Sequence, residues 1–336
     1  MSKTTEISRV VVAGGGAWGT ALASVCARAG LETTLWCRSA DQAAAIAASR
    51  ENALYLPGYK LPEGLAVTAD EAVFGDADMV VLATPAQSTR QMLTLMSPHL
   101  VQGVPIIIAA KGFERETDLM LSDVVKEAAP ALVPLVLSGP SFAADVVADL
   151  PTAVTLAGED VNVAHALASA MSRRSFRIYV SDDLKGVQTG GAVKNVIAIA
   201  AGICSGKQLG ASALAALTTR SFAELRRLAD VLGAKPDTLF GLSGLGDLIL
   251  TCSSAQSRNF SLGVELGHGK PLKHILASRR SVSEGVYTAS VVEDLARKHG
   301  IEMPVCQAVA NIVNAGADVD NEIHKLLSRP LKAERD

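Results

Sequence analysis

Aromatic residues are scarce in this chain of 336 residues and make up only 4% of it. Hydrophobic residues are nevertheless 49% of the chain, which is enough for a large core. Most of them are alanine, valine and leucine, and glycine is also frequent. Such a composition favours small side chains packed between helices and a sheet over an all-β sandwich.

An excess of positive charge is also lacking. The chain has 31 Lys and Arg against 34 Asp and Glu, for a net charge of −3. This balance excludes the broad basic surface that holds nucleic acid. Any phosphate on a small substrate must therefore be bound by a few local groups.

Paired cysteine motifs and long apolar runs are absent from the sequence. Its five cysteines are scattered, which is typical of reduced thiols in a cytosolic protein. The six histidines show no metal-ligand spacing, so we expect no metal site. Because residues 1–8 are polar and no apolar run reaches about eighteen residues, we expect a cytoplasmic protein without a membrane span.

The first half of the sequence alternates between strand-like and helix-like patterns. Short apolar runs, typical of strands buried on both faces, alternate with helical segments at residues 17–29 and 41–50. The strand candidates are residues 9–14, 33–38, 78–84, 105–110, 133–138, 153–157 and 176–180. This alternation predicts an α/β fold with a Rossmann-like, doubly wound sheet.

After about residue 182 the sequence shows helix-length segments and no convincing strand. The helix candidates are residues 184–202, 211–232, 260–267, 285–299, 305–314 and 319–327. We therefore predict a dinucleotide-binding domain in residues 1–189 and an all-helical substrate-binding and catalytic domain in residues 190–336.

A glycine-rich loop follows the first strand and opens the first helix. Its glycines, Gly14, Gly16 and Gly19, fit the GxGxxG pattern of dinucleotide-binding proteins. In that pattern the first glycine permits a tight turn, the second admits the pyrophosphate and the third lets the helix pack against the strand. A plain strand-to-helix turn is the alternative, but the strand and helix around the loop favour a nicotinamide cofactor.

Arg38 stands at the end of the second strand, where NAD-selective proteins usually carry an acidic residue. Arginine attracts the 2′-phosphate that an acidic residue would repel, so we expect NADP(H) to be accepted, with NAD(H) use left open. The alternative is a solvated arginine at a strand end.

Several polar residues are candidates for the chemistry. Lys111, Gly139 and Ser141 follow strands, at the sheet edge where open α/β folds bind ligands. Lys194 lies among apolar residues of a helix, and a buried lysine requires a partner unless its ammonium reaches solvent. Asp247 could be that partner, or it could cap a helix.

Ser257, Arg258 and Asn259 head a helical segment. They offer a hydroxyl, a guanidinium, an amide and a helix N-terminus to a dianion, although an ordinary polar helix start would look similar.

Together these segments resemble the soluble, bacterial-type glycerol-3-phosphate dehydrogenases. The resemblance extends over nearly the whole chain in eight ordered motifs: GGGAWGTALA, ATPAQ, AAKGFE, SGPSFA, GGAVKNVIAIAAGI, GLSGLGDLILTC, SSAQSRNFSLG and SEGVYTA. It implies NAD(P)H-dependent, reversible reduction of dihydroxyacetone phosphate to sn-glycerol 3-phosphate, which supplies glycerophospholipid synthesis.

The resemblance also assigns roles to individual residues. Lys194 is the implied proton donor and acceptor, with Asp247 and Lys111 as the other catalytic residues. The implied cofactor contacts are Gly14, Gly16, Ala17, Trp18, Gly19, Arg38, Lys111, Ala143, Arg258, Val282 and Glu284. The implied substrate contacts are Lys111, Gly139, Ser141, Lys194, Asn195, Asp247, Ser257, Arg258 and Asn259.

The chain departs from the family in its glycine loop, where the family commonly has GAGSWG. Ala17 cannot offer the serine hydroxyl to a cofactor phosphate, so we expect modestly weaker cofactor binding and an unchanged reaction.

Two alternatives remain open from the sequence. A related dehydrogenase could act on a keto or imino acid, and a nicotinamide-binding sensor would have no chemistry at all. We expect a small-molecule substrate and no nucleic-acid partner, and we leave a homodimer open.

Overall fold

The computed structural model describes residues 7–279, 283–330 and 333. Its centre is an eight-stranded sheet with the strand order β3-β2-β1-β4-β5-β6-β7-β8. The strands are β1 Arg9–Ala13, β2 Glu32–Trp36, β3 Leu65–Thr68, β4 Met79–Leu82, β5 Pro105–Ile108, β6 Val133–Ser138, β7 Thr152–Gly158 and β8 Phe176–Ser181. All neighbouring strands pair in parallel except β6 and β7, which are antiparallel. The predicted doubly wound α/β fold is confirmed.

In the described part of the chain, six α-helices accompany the sheet and cover both of its faces. They are α1 Ala17–Arg28, α2 Ala40–Ser49, α3 Thr89–Met96, α4 Leu121–Ala128, α5 Ala143–Val147 and α6 Val161–Met171. Separate apolar cores fill the two faces, one around Leu22 and Leu35 and the other around Trp36 and Phe74. Burial on both faces explains why β4, β5 and β6 are nearly continuous apolar runs.

The remaining part of the described chain is helical, as predicted. Its helices are α7 Leu184–Gly206, α8 Ala211–Val231, α9 Asp247–Ser253, α10 Arg258–Gly267, α11 Leu272–Ala277, α12 Glu284–His299, α13 Pro304–Ala315 and α14 Val319–Leu327. The predicted boundary between residues 189 and 190 falls within α7, and the division into two domains at that point stays a prediction.

Helix α7 forms the centre of the helical region and is buried along almost its whole length. It lies very close to α10, because glycines stand at their crossing. A Cβ atom added to Gly202 would lie 2.0 Å from the carbonyl oxygen of Phe260, and one added to Gly263 would lie 2.1 Å from that of Ile199. Side chains at these positions would push the helices apart, so the glycines fix where α10 and its N-terminus lie relative to α7.

Among the described residues, only α7 has the length and apolar composition of a membrane span, and that window is entirely buried within the structure. The core helix of a globular protein has the same properties.

Candidate active site

The glycine loop lies at the carboxyl end of β1 and turns directly into α1. Gly14 has a φ of +130°, and an added Cβ atom there would lie 2.8 Å from the carbonyl oxygen of Ala83. A Cβ atom at Gly19 would lie 1.9 Å from the carbonyl oxygen of Gly14. Both positions therefore require glycine, because the backbone just after β4 and that of the loop leave no room.

The open side of this loop fits a dinucleotide. An added Cβ atom at Gly16 would have no protein atom within 4 Å, and no side chain caps the N-terminus of α1. The first amides of α1, including that of Ala17, are therefore available to an anion. Beside Gly14, the buried Thr84 hydroxyl has no hydrogen-bond partner among the described residues. These features suit a pyrophosphate group even without the hydroxyl that a serine would provide at position 17.

Arg38 lies two residues beyond β2, at the same edge of the sheet. Its side chain is exposed, and the described part of the chain offers it no ion pair. The adjacent Ser39 caps α2 by accepting a hydrogen bond from the amide of Gln42. Arg38 is therefore free to meet a ligand bound over the glycine loop.

Lys111, Lys194 and Asp247 form one cluster, in which Lys194 and Asp247 are buried and Lys111 is partly buried. Lys111 Nζ lies 2.7 Å from Asp247 Oδ2, and Lys194 Nζ lies 2.9 Å from Asp247 Oδ1. One carboxylate thus holds two lysines, and its side chain is only 1% exposed. Lys111 also donates a hydrogen bond to the carbonyl oxygen of Gly139. The structure therefore brings together residues that are 136 positions apart in the sequence.

Burial lowers the pKa of Lys194 to about 8, although the carboxylate of Asp247 raises it again in part. The neighbouring charge of Lys111 acts in the same direction as burial. Lys194 Nζ also donates a 2.7 Å hydrogen bond to Thr251 Oγ1, and Thr251 donates to the carbonyl oxygen of Asp247. An ammonium with a pKa near neutrality, fixed by two partners, can both give and accept a proton.

Local structure explains how Asp247 reaches the lysines. Residues Leu242–Gly246 form one π-helical turn, and α9 begins at Asp247. A Cβ atom at Gly190 of α7 would lie 2.6 Å from the carbonyl oxygen of Ser243, so this turn packs directly on α7. The Asp247 side chain does not cap the helix; its carboxylate forms ion pairs with Lys111 and Lys194 instead.

Asn195 and Asn259 link the lysine cluster to α12. Asn195 Nδ2 donates to the carbonyl oxygen of Lys111, and its Oδ1 accepts a hydrogen bond from Asn259 Nδ2 at 2.9 Å. The Oδ1 atom of Asn259 accepts in turn from the amide of Gly285. Both asparagines are buried, so this chain of hydrogen bonds fixes Lys111, α7, α10 and α12 relative to one another.

Ser257 and Arg258 stand at the N-terminus of α10. Ser257 caps the helix by accepting a hydrogen bond from the amide of Phe260. The guanidinium of Arg258 has no hydrogen-bond or ion-pair partner in the described ranges, and its burial lowers the pKa of the group. Arg279 donates to the carbonyl oxygen of Arg258 and forms an ion pair with Glu265, which holds this end of α10 in place.

Glu284 begins α12 and faces the segment that follows β4. Its Oε1 atom accepts a hydrogen bond from the amide of Ala86, whereas its buried Oε2 atom has no partner in the described structure. Burial raises the pKa of this carboxyl group. An unpaired buried carboxyl oxygen is costly unless a ligand meets it. Val282, its predicted neighbour at the cofactor, lies outside the described residues.

The other predicted site residues lie near the same edge of the sheet. Gly139 follows β6 directly, and its carbonyl oxygen accepts hydrogen bonds from both Lys111 and Ser141. Ala143 begins α5. Trp18 lies in the first turn of α1, where its indole nitrogen is buried without a hydrogen-bond partner among the described residues.

The sequence interpretation did not identify several residues that shape the site. Thr251 follows Asp247 by four positions on a helix, so helical spacing could have placed it beside Asp247, the expected partner of Lys194. Gln42 and Asn52, in contrast, reach the glycine loop from outside any motif, and no short-range pattern signals them.

The chain matches both regions of one enzyme family. Residues 9–164 match the N-terminus of NAD-dependent glycerol-3-phosphate dehydrogenase, and residues 183–324 match its C-terminus.

Individual relatives match over nearly the full length. Glycerol-3-phosphate dehydrogenase (NAD(P)+) of Parvibaculum lavamentivorans is 53% identical over 98% of this chain and 99% of its own. The enzyme of the same name from Caulobacter vibrioides is 51% identical over 97% of this chain and 98% of its own.

Among solved structures, the glycerol-3-phosphate dehydrogenase of Coxiella burnetii superposes with a TM-score of 0.92. It is 38% identical to this chain, and the match covers 96% of this chain and 99% of that one. The resemblance inferred from the motifs is confirmed, and the chain belongs to the NAD-dependent glycerol-3-phosphate dehydrogenase family.

Proposed function

We propose that this protein catalyses the reversible, NAD(P)H-dependent reduction of dihydroxyacetone phosphate to sn-glycerol 3-phosphate. The observation that carries the proposal is the Lys111–Asp247–Lys194 cluster, which lies at the same sheet edge as an uncapped glycine loop. A cation of pKa about 8 next to a dinucleotide site suits a carbonyl reductase.

The proposed cofactor is NADP(H), and NAD(H) is proposed as its substitute. Gly14, Gly16, Ala17, Trp18 and Gly19 would hold its pyrophosphate, and Arg38 would meet a 2′-phosphate. The further cofactor contacts proposed are Lys111, Ala143, Arg258, Val282 and Glu284. When bound, the nicotinamide supplies the hydride that reduces the substrate ketone.

Lys194 is the proposed general acid. As negative charge develops on the substrate oxygen, Lys194 Nζ stabilises it and then delivers a proton. Asp247 keeps the ammonium charged and oriented despite its burial, and Lys111 adds positive potential. In the oxidation of glycerol 3-phosphate, the neutral amine of Lys194 removes the proton from the hydroxyl group.

Arg258 is the proposed phosphate ligand. Its planar guanidinium can meet two phosphate oxygens, and it has no hydrogen-bond or ion-pair partner among the described residues that would compete for this task. Ser257, Asn259 and the N-terminus of α10 would complete the phosphate site, whereas Asn195, Gly139 and Ser141 would line the rest of the substrate site. Binding the phosphate aligns the ketone for reaction.

We further propose that the enzyme is cytoplasmic, that it forms a homodimer, and that its product feeds glycerophospholipid synthesis. Residues 1–189 would bind the cofactor, and residues 190–336 would bind the substrate.

The substrate assignment is tested by comparing wild type with Arg258→Ala on two ketones. The variant should raise KM for dihydroxyacetone phosphate about 10- to 1,000-fold, because a bidentate, charge-assisted contact is lost. Dihydroxyacetone, which lacks the phosphate, should be a very poor substrate for both forms and nearly unaffected by the substitution.

Arg258→Lys is the matched control. Its KM for dihydroxyacetone phosphate should lie between those of wild type and Arg258→Ala, because lysine keeps the charge but cannot bind two phosphate oxygens at once. If Arg258→Ala lowers kcat/KM for both ketones by the same factor, Arg258 supports the fold and does not bind the substrate phosphate. If a non-phosphorylated 2-oxo acid is the better substrate of the wild type, the proposed reaction is wrong.

A further inference from the structure

Two amide side chains bind the glycine loop from behind. Asn52 Nδ2 donates a 2.9 Å hydrogen bond to the carbonyl oxygen of Gly15, and Gln42 Nε2 donates a 2.6 Å hydrogen bond to the same oxygen. Asn52 Nδ2 also donates to Thr20 Oγ1 at 2.7 Å. The hydroxyl of Thr20 donates in turn to the carbonyl oxygen of Gly16. Two consecutive loop carbonyls are therefore fixed on the protein side.

Because the peptide group is planar, these contacts with a carbonyl oxygen also set the direction of the N–H that follows it. In a planar trans peptide the C=O and the following N–H point in opposite directions, and the described chain contains no cis peptide. Fixing the Gly15 carbonyl toward Asn52 and Gln42 therefore turns the Gly16 N–H away from them. On Gly16 itself, an added Cβ atom would meet no protein atom within 4 Å. The loop is thus anchored on one side and open on the other.

The loop is also shaped to receive these side chains. A Cβ atom at Gly15 would lie 2.5 Å from Cys37 Sγ and 3.0 Å from Gln42 Nε2, so glycine leaves the space that Gln42 occupies. Asn52 is 1% exposed, and its Oδ1 atom has no hydrogen-bond partner among the described residues. A buried amide with an unpaired oxygen is a poor stabiliser of the fold. Its Nδ2 donors, in contrast, are both used: one binds the loop at Gly15, and the other binds α1 at Thr20.

We propose that Asn52 and Gln42 are positioning residues that orient the Gly15–Gly16 peptide for binding the cofactor pyrophosphate. The inference rests on the proposed function, because it takes the glycine loop as the cofactor site. Because Ala17 offers no hydroxyl to a phosphate at this point of the loop, the contact depends on the backbone amides. Asn52 and Gln42 act through the backbone and do not themselves touch the cofactor.

The test compares the Kd for NADPH, which contains the pyrophosphate, with the Kd for adenosine 2′-phosphate, which does not. Asn52→Leu removes the donors at similar size, and Gln42→Met removes the second donor from a half-buried side chain. Asn52→Leu should raise the Kd for NADPH about 10- to 100-fold, and Gln42→Met should raise it by less. Adenosine 2′-phosphate, which lacks the pyrophosphate, should bind both variants within about twofold of wild type.

Gln188→Leu is a matched control, because it removes another buried amide, whose donors reach Ser122 and the carbonyl oxygen of Leu184 instead of the loop. It should lower the melting temperature without changing the ratio of the two ligands' Kd values. The proposal would be overturned if Asn52→Leu raised the Kd for NADPH and for adenosine 2′-phosphate by the same factor. An unchanged Kd for NADPH in both loop variants would also overturn it.

If Asn52→Leu fails to fold, Gln42→Met still decides, since its side chain is partly exposed and it leaves the core intact. The assay measures binding alone. A wild type that fails to bind NADPH would overturn the proposed function, whereas a wild type that binds NADPH beside unaffected variants would overturn only the positioning role.

Discussion

Lys194 is the residue on which the proposed chemistry depends. A buried ammonium is costly unless a partner compensates for its lost hydration, and Asp247 provides that partner at 2.9 Å. The partner does not restore the ordinary pKa, because burial has the larger effect and leaves the pKa at about 8. The residue is thus charged at neutral pH and can still release its proton.

The pH dependence of the reaction follows from this pKa. Reduction requires the ammonium form of Lys194, so kcat/KM should be level below about pH 8 and fall about tenfold per pH unit above it. Oxidation requires the neutral amine, so its kcat/KM should rise with pH and level off above about 8. Initial rates in both directions between pH 6 and about 10 measure the two profiles.

Asp247→Asn provides the control for this assignment. Because the carboxylate raises the pKa of Lys194, its removal should move both breaks to lower pH and also reduce kcat. Profiles that break in the same direction for reduction and oxidation would show that another group titrates.

Arg38 determines the expected cofactor preference. Arg38→Asp should raise KM for NADPH about 10- to 100-fold and change KM for NADH far less, because only NADPH carries the 2′-phosphate. Steady-state kinetics with each cofactor at saturating ketone measure the two effects. Equal effects on both cofactors would mean that Arg38 contacts the part of the dinucleotide that they share.

At the scale of elements, the close crossing of α7 and α10 positions the site. Lys194 and Asn195 lie on α7, Arg258 and Asn259 lie on α10, and the glycines at the crossing determine how near the two sets are. Asn259 reaches Asn195 at 2.9 Å only because the helix backbones nearly touch.

Gly263→Ala should therefore both destabilise the protein and impair catalysis. The new methyl group would lie 2.1 Å from the carbonyl oxygen of Ile199, so the helices must separate at a cost of about 1–3 kcal/mol. Denaturant unfolding gives the free energy, and kcat/KM with dihydroxyacetone phosphate gives the activity.

Gly64→Ala is the matched control, since an added Cβ atom there has nothing within 4 Å. It should change the free energy of unfolding by less than about 0.5 kcal/mol. Equal stability of the two variants would mean that the crossing is not tightly packed.

The strands differ in how well the sequence pattern predicts them. Buried strands such as β4 and β5 were predictable because they are continuous apolar runs bounded by polar residues. The short edge strand β3 was missed, since only Leu65 of its four residues is buried and the pattern is too weak. The antiparallel pairing of β7 was not predictable either, because orientation depends on the path of the connection between strands.

Helix ends in the active site were harder to predict. The helix α9 was missed because glycines precede it, and its start depends on a π-helical turn packed against α7. The motifs identified Lys194 and Asp247 separately. Their distance of 2.9 Å, with Lys111 on the same carboxylate, required the tertiary structure.

At the scale of the whole molecule, the site combines both halves of the chain. The sheet contributes the glycine loop, Lys111 and Gly139 at the carboxyl ends of its strands, and the helical region contributes Lys194, Asp247 and Arg258. With a net charge of −3, the molecule as a whole does not attract a phosphorylated substrate. Recognition must come from the local cations, which face one shared edge of the sheet.

The most direct test of the central claim is an NADPH oxidation assay of the purified protein with dihydroxyacetone phosphate. The wild type should oxidise one NADPH for each sn-glycerol 3-phosphate formed, and Lys194→Ala should still bind NADPH but turn over about 10²- to 10⁴-fold more slowly. Absence of NADPH oxidation by the wild type, or a Lys194→Ala variant within a few-fold of its kcat, would contradict the account.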